Sequence, residues 1–170
     1  VLGALKYHNR PELARPLGHH LGDLWLSGGH GLGQPPGVVP IPIHPDKRKT
    51  RGYNQAELLA EYFCHYIGIK LYSNLLLRQT NTQPQHELSA QAREANLATA
   101  FAINPEHPRP TQPVLIVDDI YTTGATARAA QSVLQQAGLS VVGILVVATG
   151  KADMPAKYRV RNAKPQPVGR

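Results

Sequence analysis

At 170 residues, with 42% hydrophobic and 17% charged positions, the chain is long enough for one soluble globular domain with a real core, and too short for two ordinary domains. Its 15 glycines and 15 prolines imply several tight turns and exclude a long coiled coil or helical repeat, and its one cysteine, Cys64, excludes an internal disulfide framework or a four-cysteine zinc site. The formal charge of +7 is uneven: residues 151–170 hold six Lys or Arg against one acid, leaving only +2 for the other 150 residues, so a basic surface over the whole domain is excluded.

In chain order, Leu13, Leu17, Leu21 and Leu24 recur at helical spacing, and the Gly- and Pro-rich stretch from Ser27 to Gly37 cannot continue a helix. Val38 to Ile43 is apolar and β-branched but carries Pro40 and Pro42, which predicts a strand that ends early. A basic loop, Lys47 to Arg51, follows. Asn54 is placed to cap a helix, with Glu57 three residues on as in a capping box, Ala56, Leu59, Ala60, Phe63 and Ile67 as the buried face, and Gly68 as the stop. A strand is expected over Ile69 to Leu77, then a polar mobile loop from Arg78 to Glu87 and a short helix from its Ser89 cap to Asn96. Val114 to Val117 reads as a buried strand, Gly124 to Ala137 as a helix with Ala130, Val133, Leu134 and Ala137 on one face, and Val141 to Val147 as the last strand. This alternation predicts an α/β fold with a mainly parallel sheet and right-handed crossovers. Ligands of such sheets lie beyond the carboxyl ends of the strands, so the ends at Pro42, Leu77 and Val117 are expected to converge on one cleft.

The apolar run from Val141 to Ala148 is broken by Gly143 and is far shorter than the roughly 20 residues of a membrane span. With no secretory signal pattern and a single cysteine, a cytoplasmic location is expected. The division expected is an N-terminal helical segment over residues 1–37, a core over 38–150 and a basic, flexible tail over 151–170. The tail also offers a surface for a polyanion.

The segment from Leu115 to Thr126, LIVDDIYTTGAT, carries the chemistry. Small residues around Gly124 let the backbone approach a ligand, while the amides and dipole at the helix start favour an anion, so Ile120, Tyr121, Thr122, Thr123, Gly124, Ala125 and Thr126 form a candidate phosphate loop. Asp118 and Asp119 can accept hydrogen bonds from a ribose diol or hold Mg2+, directly or through water. The alternative is an ordinary strand-to-helix turn capped by Asp118 and Thr122, but paired carboxylates with three threonines exceed what capping needs. A P-loop at Gly143 to Lys151 lacks the spacing, and Gly29 to Gly33 follows no strand, so neither is a nucleotide fingerprint. The eight histidines are scattered, and Tyr7, Trp25, Tyr53 and Tyr121 read either as stacking platforms for a base or as packing residues.

At these residues the sequence resembles the type I phosphoribosyltransferases, whose donor motif is a hydrophobic strand, two acids and a Thr-Gly-rich loop. With VPIPIHPDKRKTRGYNQ at Val39 to Gln55, Arg78, QHELSAQAREANLATAF at Gln85 to Phe101 and an N-terminal LKYHNRPELA, it resembles the ComF family, related to competence proteins for DNA uptake. The resemblance implies a type I phosphoribosyltransferase fold with a small N-terminal hood, and a donor, phosphoribosyl pyrophosphate, bound with Mg2+ at Asp118 and Asp119, the catalytic pair. It makes the loop after Pro42 a pyrophosphate loop and Arg78 to Asn96 a closing loop. Lys47, Arg48, Lys49 and Arg51 then neutralise pyrophosphate, Arg51 favoured for its planar fork and Gly52 for the turn. Arg78 and Arg93 are candidates to reach the ligand on closure, a surface role being the alternative for each, with Gln85 and Asn96 as weaker candidates; Asn54 reads alternatively as a helix cap alone, and Gln55 as a residue facing solvent. The zinc ribbon common in that family has no cysteine pairs here. The implied activity is transfer of phosphoribosyl to a nucleobase-like acceptor. The alternatives are a non-catalytic phosphoribosyl pyrophosphate- or nucleotide-binding module acting through competence-machinery partners, and a single-stranded DNA adaptor using the basic tail.

Overall fold

The computed structural model describes residues 10–30, 33–79 and 99–150. Its elements in order are α1 (Ala14–Ser27), β1 (Gly37–Pro40), α2 (Pro45–Arg51), α3 (Gln55–Ile67), β2 (Leu76–Arg78), β3 (Phe101–Ile103), β4 (Val114–Tyr121), α4 (Ala125–Gln136) and β5 (Val141–Thr149). Helix 89–96 and the tail, as expected from sequence, lie outside the described residues, as do Tyr7, Gln85, Arg93 and Asn96.

The apolar run at β4 makes it the central strand, parallel to β1 on one side and β5 on the other. Val38 stands opposite Leu115, and Ile116 opposite Ile144. A single parallel bridge from Leu71 to Val38 extends the sheet beyond β1. Because alternate residues of a strand face opposite sides, β4 divides its side chains between two cores. Val114 and Ile116 join Val39, Phe101, Ala130 and Leu134 on one face. Leu115 and Val117 join Val38, Leu59, Phe63 and Trp25 on the other.

Helix α1, the described part of the expected hood, packs directly on α3 within that second core. Its buried face includes Ala14, Gly18, Leu21, Gly22 and Trp25, so the leucine stripe named only part of the contact. A methyl group on Gly18 would lie 2.6 Å from the Tyr62 Cβ and 3.0 Å from the Leu59 carbonyl oxygen, so these glycines let two helix backbones meet closely. Trp25 then sets its ring edge-on to Phe63, with centroids 6.1 Å apart. Gly18→Ala is expected to lower stability by about 1–3 kcal/mol through overpacking, although alanine in an exposed helix would stabilise it. Urea unfolding reads the sign, and a raised midpoint would refute the close crossing.

Two expectations are corrected. The strand expected over Ile69 to Leu77 divides at Ser73 and Asn74, where the Leu75 N–H donates to the Tyr72 carbonyl at 3.3 Å. Its second half, β2, pairs antiparallel with β3, Leu76 opposite Ile103 and Arg78 opposite Phe101. The basic stretch expected as a loop is helix α2. Pro45 presets its first turn, His44 Nδ1 accepts from the Asp46 N–H at 3.3 Å, and Gly52, at φ 82°, closes it. Asp46 lies at its start and Arg48, Lys49 and Arg51 at its end, as the helix dipole favours.

Asn54 caps α3 as expected, its side-chain oxygen accepting from the Ala56 N–H at 3.2 Å. Its amide also donates to the Ile41 carbonyl at 2.9 Å, tying the helix start to the end of β1. Glu57 turns away from the cap to pair with Arg48 at 3.0 Å. Cys64 is buried in α3, and burial pushes its thiol up to about 12, a packing residue rather than a nucleophile. Among the described residues no helix is long and apolar enough to cross a membrane.

Candidate functional site

Strand β4 runs past Val117 through both acids to Tyr121, so Asp118 and Asp119 lie within the strand rather than after it. Alternation therefore places them on opposite sides of the sheet. Asp118 follows Ile116 onto the face that carries α4, and one of its carboxylate oxygens accepts from the Asp119 N–H at 2.8 Å. Asp119 follows Val117 onto the face that carries α3 and is only 7% exposed.

Beyond β4 the chain turns sharply at Gly124, φ 75°, into α4. An added Cβ there would lie 2.1 Å from the Tyr121 hydroxyl, so the tyrosine ring occupies the space that a side chain would need. Thr122 and Thr123 are left exposed above it. At the start of α4 the Thr123 hydroxyl accepts from the Ala125 N–H at a long 3.4 Å, and the first turn holds no acid. Instead Arg128 reaches back and donates to the Thr123 carbonyl at 2.9 Å. A cation in the first turn opposes the helix dipole unless an anion is to be held there. Asp118, Thr122, Gly124 and Thr126 border a depression of about 20 Å³, room for roughly one water. Gly150, at the end of β5, donates its N–H to the Tyr121 carbonyl and braces the loop from behind.

The second part of the site is basic. Lys47 and Arg51, four residues apart, share one face of α2, and Arg51 donates to Gln55 Oε1 at 2.8 Å. Gln55 is 2% exposed, with Nε2 lacking a partner among the described residues, so the expectation that it faces solvent is overturned. Arg48 and Lys49 point elsewhere: with Pro42, Leu77 and Arg78 they border a cleft of about 510 Å³ that neither Lys47 nor Arg51 lines. Two of the three strand ends expected to converge, Pro42 and Leu77, thus meet in one cleft. The third is adjacent, since the Ile41 N–H donates to the Val117 carbonyl at 2.9 Å.

Arg78 connects the two parts. Its guanidinium lies 4.8 Å from the centroid of the Phe101 ring. Burial holds it below the ordinary arginine range, while the negative charge of Asp118 acts in the opposite direction. Its Nε is buried without a partner among the described residues. Trp25 and Tyr121 are buried in the two cores, and Tyr53 packs partly against the second, so the three candidate stacking residues among the described ones are packing residues. Arg128 is the residue that sequence reading missed, and Gln55 the one it assigned to solvent. Arg128 carried a signal, its position one turn into a helix that follows a phosphate-type loop.

The oxygen donors around the depression, the Asp118 carboxylate and the threonine hydroxyls, suit a hard cation such as Mg2+. Such an ion commonly takes one or two carboxylates and completes its shell with water and substrate phosphates.

No protein-family model matches the chain. It is 32% identical over 116 residues to competence protein F of Haemophilus influenzae, covering 68% of this chain and 51% of that protein. It is 33% identical over 142 residues to the DNA utilization protein YhgH of Salmonella typhi, covering 82% of this chain and 62% of that one. The chain therefore spans between about half and just under two thirds of these relatives. In three dimensions it is similar to the adenine phosphoribosyltransferase of Saccharomyces cerevisiae, with a TM-score of 0.51 at 17% identity, over 78% of this chain and 66% of that one.

Proposed function

The chain is a homologue of the proteins named competence protein F and DNA utilization protein YhgH, on the type I phosphoribosyltransferase fold, and from that premise we propose that it binds phosphoribosyl pyrophosphate with Mg2+ and transfers the phosphoribosyl group to a nucleobase-like nitrogen. The observation that carries this is the loop at the end of β4: a left-handed glycine, exposed threonines and a helix start without an acid, beside the carboxylate of Asp118. The 5-phosphate sits on the amides of the first turn of α4 and the hydroxyls of Thr122, Thr123 and Thr126. Asp118 accepts from the ribose hydroxyls, with Asp119 acting from the other side of the strand. The face of α2 carrying Lys47 and Arg51 neutralises the pyrophosphate.

In the reaction the anomeric C–O bond breaks with its electron pair leaving on pyrophosphate, a C–N bond to the acceptor forms, and the acceptor nitrogen gives up its proton to the departing pyrophosphate or to water. Positive charge grows on the sugar ring as the leaving group departs, and the Asp118 carboxylate beside the depression stabilises it. Mg2+ would be held by Asp118, directly or through water, with the threonine hydroxyls beside it, and would supply charge neutralisation for the pyrophosphate. The cellular role proposed is in competence and the handling of incoming DNA, following the names of the relatives, in the cytoplasm.

Those names refer to the use of DNA rather than to group transfer, which supports a second reading: the same ligand or a nucleotide bound without chemistry, to act through competence-machinery partners or single-stranded DNA. Pyrophosphate release in the presence of donor, Mg2+ and a panel of bases separates the two. The transferase reading expects release that depends on the base. Tight donor binding with no release from any base would leave the binding module.

A further inference from the structure

Two arginines hold backbone carbonyls at opposite ends of α4. At the C-terminal end Arg109 donates to the Ala137 carbonyl at 3.1 Å, where a positive charge suits the helix dipole. At the N-terminal end Arg128 donates to the Thr123 carbonyl at 2.9 Å, where the same charge opposes the dipole. Helix stability therefore accounts for Arg109 and not for Arg128. What Arg128 does is fix both peptide planes that flank Gly124. Its backbone N–H donates to the Gly124 carbonyl at 2.8 Å, a bond that any residue but proline would make in the first turn. Its guanidinium holds the plane on the other side, the Thr123–Gly124 peptide, and that depends on the side chain. A left-handed glycine, φ 75° and ψ 4°, is where such a plane rotates most easily, since its rotation exchanges one turn type for another.

In a trans peptide the N–H points away from the C=O. With the Thr123 carbonyl turned to Arg128, the Gly124 N–H is turned to the opposite side, next in order to the amides of Ala125 and Thr126 that open α4. Successive amides of this kind make a concave anion site. A charged donor on the carbonyl also polarises the peptide and strengthens the N–H at its other end. We propose that Arg128 is a positioning residue of the phosphate loop: by holding the Thr123 carbonyl it turns the Gly124 N–H toward a phosphate monoester and makes it a stronger donor, without touching the phosphate itself. This rests on the phosphate-loop reading given above and adds to it the contact that keeps the loop in its anion-binding form.

The test uses the full chain with ribose 5-phosphate and ribose as probes, followed by calorimetry and by the NMR signal of the Gly124 amide. The parent chain is expected to bind ribose 5-phosphate in preference to ribose and to move the Gly124 amide proton downfield on binding. Arg128→Ala, a strong helix former at an exposed position that does not endanger folding, is expected to weaken ribose 5-phosphate by about tenfold or more, the range for one hydrogen bond to a charged group, and to lose the Gly124 shift. The loss should persist at about 0.5 M salt, where a charge acting only through space is largely screened. Arg109→Ala is the matched control, expected to lower the melting temperature more than Arg128→Ala does and to leave the affinity for ribose 5-phosphate unchanged. If the parent chain does not bind ribose 5-phosphate, the phosphate loop falls and Arg128 with it. If the parent binds, then undiminished affinity in Arg128→Ala, an unmoved Gly124 amide, a loss that salt abolishes or an equal loss in Arg109→Ala would each overturn the role of Arg128 and leave the loop standing.

Discussion

Gly124→Ala is expected to lower donor affinity by roughly tenfold to a hundredfold, since displacing the loop loses a hydrogen bond to the charged 5-phosphate, worth about 1.5–3 kcal/mol, and to destabilise the fold as well. Two costs combine. The backbone at Gly124 is left-handed, φ 75°, which costs a residue with a Cβ about 1–2 kcal/mol. The new methyl would also lie 2.1 Å from the Tyr121 hydroxyl and 2.4 Å from its Cζ. Tyr121 is 5% exposed and packed in the core, so the loop rather than the ring must give way, at about 1–3 kcal/mol more. Gly52→Ala is the matched control, because Gly52 has φ 82° with nothing within 4 Å of an added Cβ, and it measures the backbone cost alone. Tyr121→Phe combined with Gly124→Ala is not expected to restore binding, since Cζ remains in the way. Equal losses for the Gly52 and Gly124 variants in thermal unfolding and calorimetry would show that the tyrosine does not set the loop.

The same loop shows how far the sequence could be read. VLIV was legible as a buried strand because a continuous apolar run has few other uses, and TTGAT as a turn into a helix because Gly124 permits the left-handed backbone there. The Asn54 cap was legible for a similar reason, being settled by residues two apart. Helix α2 was not, since none of its seven residues is buried and no apolar period marks it. The antiparallel pairing of β2 with β3 depends on contacts across more than twenty residues, beyond any local pattern. The split of Asp118 from Asp119 follows from strand alternation, but only once β4 is known to continue past Val117. Burial of Gln55 was hidden because its partner, Arg51, belongs to the helix that went unrecognised.

That split gives the second large effect. With both aspartates changed, Asp118→Asn/Asp119→Asn is expected to abolish measurable donor binding. Hydrogen bonds to a charged group contribute about 1.5–3 kcal/mol each, so losing two corresponds to roughly a hundredfold to ten-thousandfold in affinity. The single variants should differ in kind. Asp118 lines the depression and lies close enough to Arg78 to influence it, so Asp118→Asn removes a ligand contact and also the charge that helps to offset burial of the guanidinium. Its loss of affinity should therefore be accompanied by a modest fall in stability, because the buried guanidinium loses a nearby negative charge. Asp119 is almost fully buried on the face that carries α3, where the change alters interior hydrogen bonding, so Asp119→Asn should cost stability at least as much as affinity. Calorimetry with phosphoribosyl pyrophosphate and Mg2+, beside urea unfolding of each variant, separates these outcomes. A folded double variant that binds the donor as tightly as the parent chain would remove the aspartates from the site, and with them the main support for a sugar-phosphate ligand.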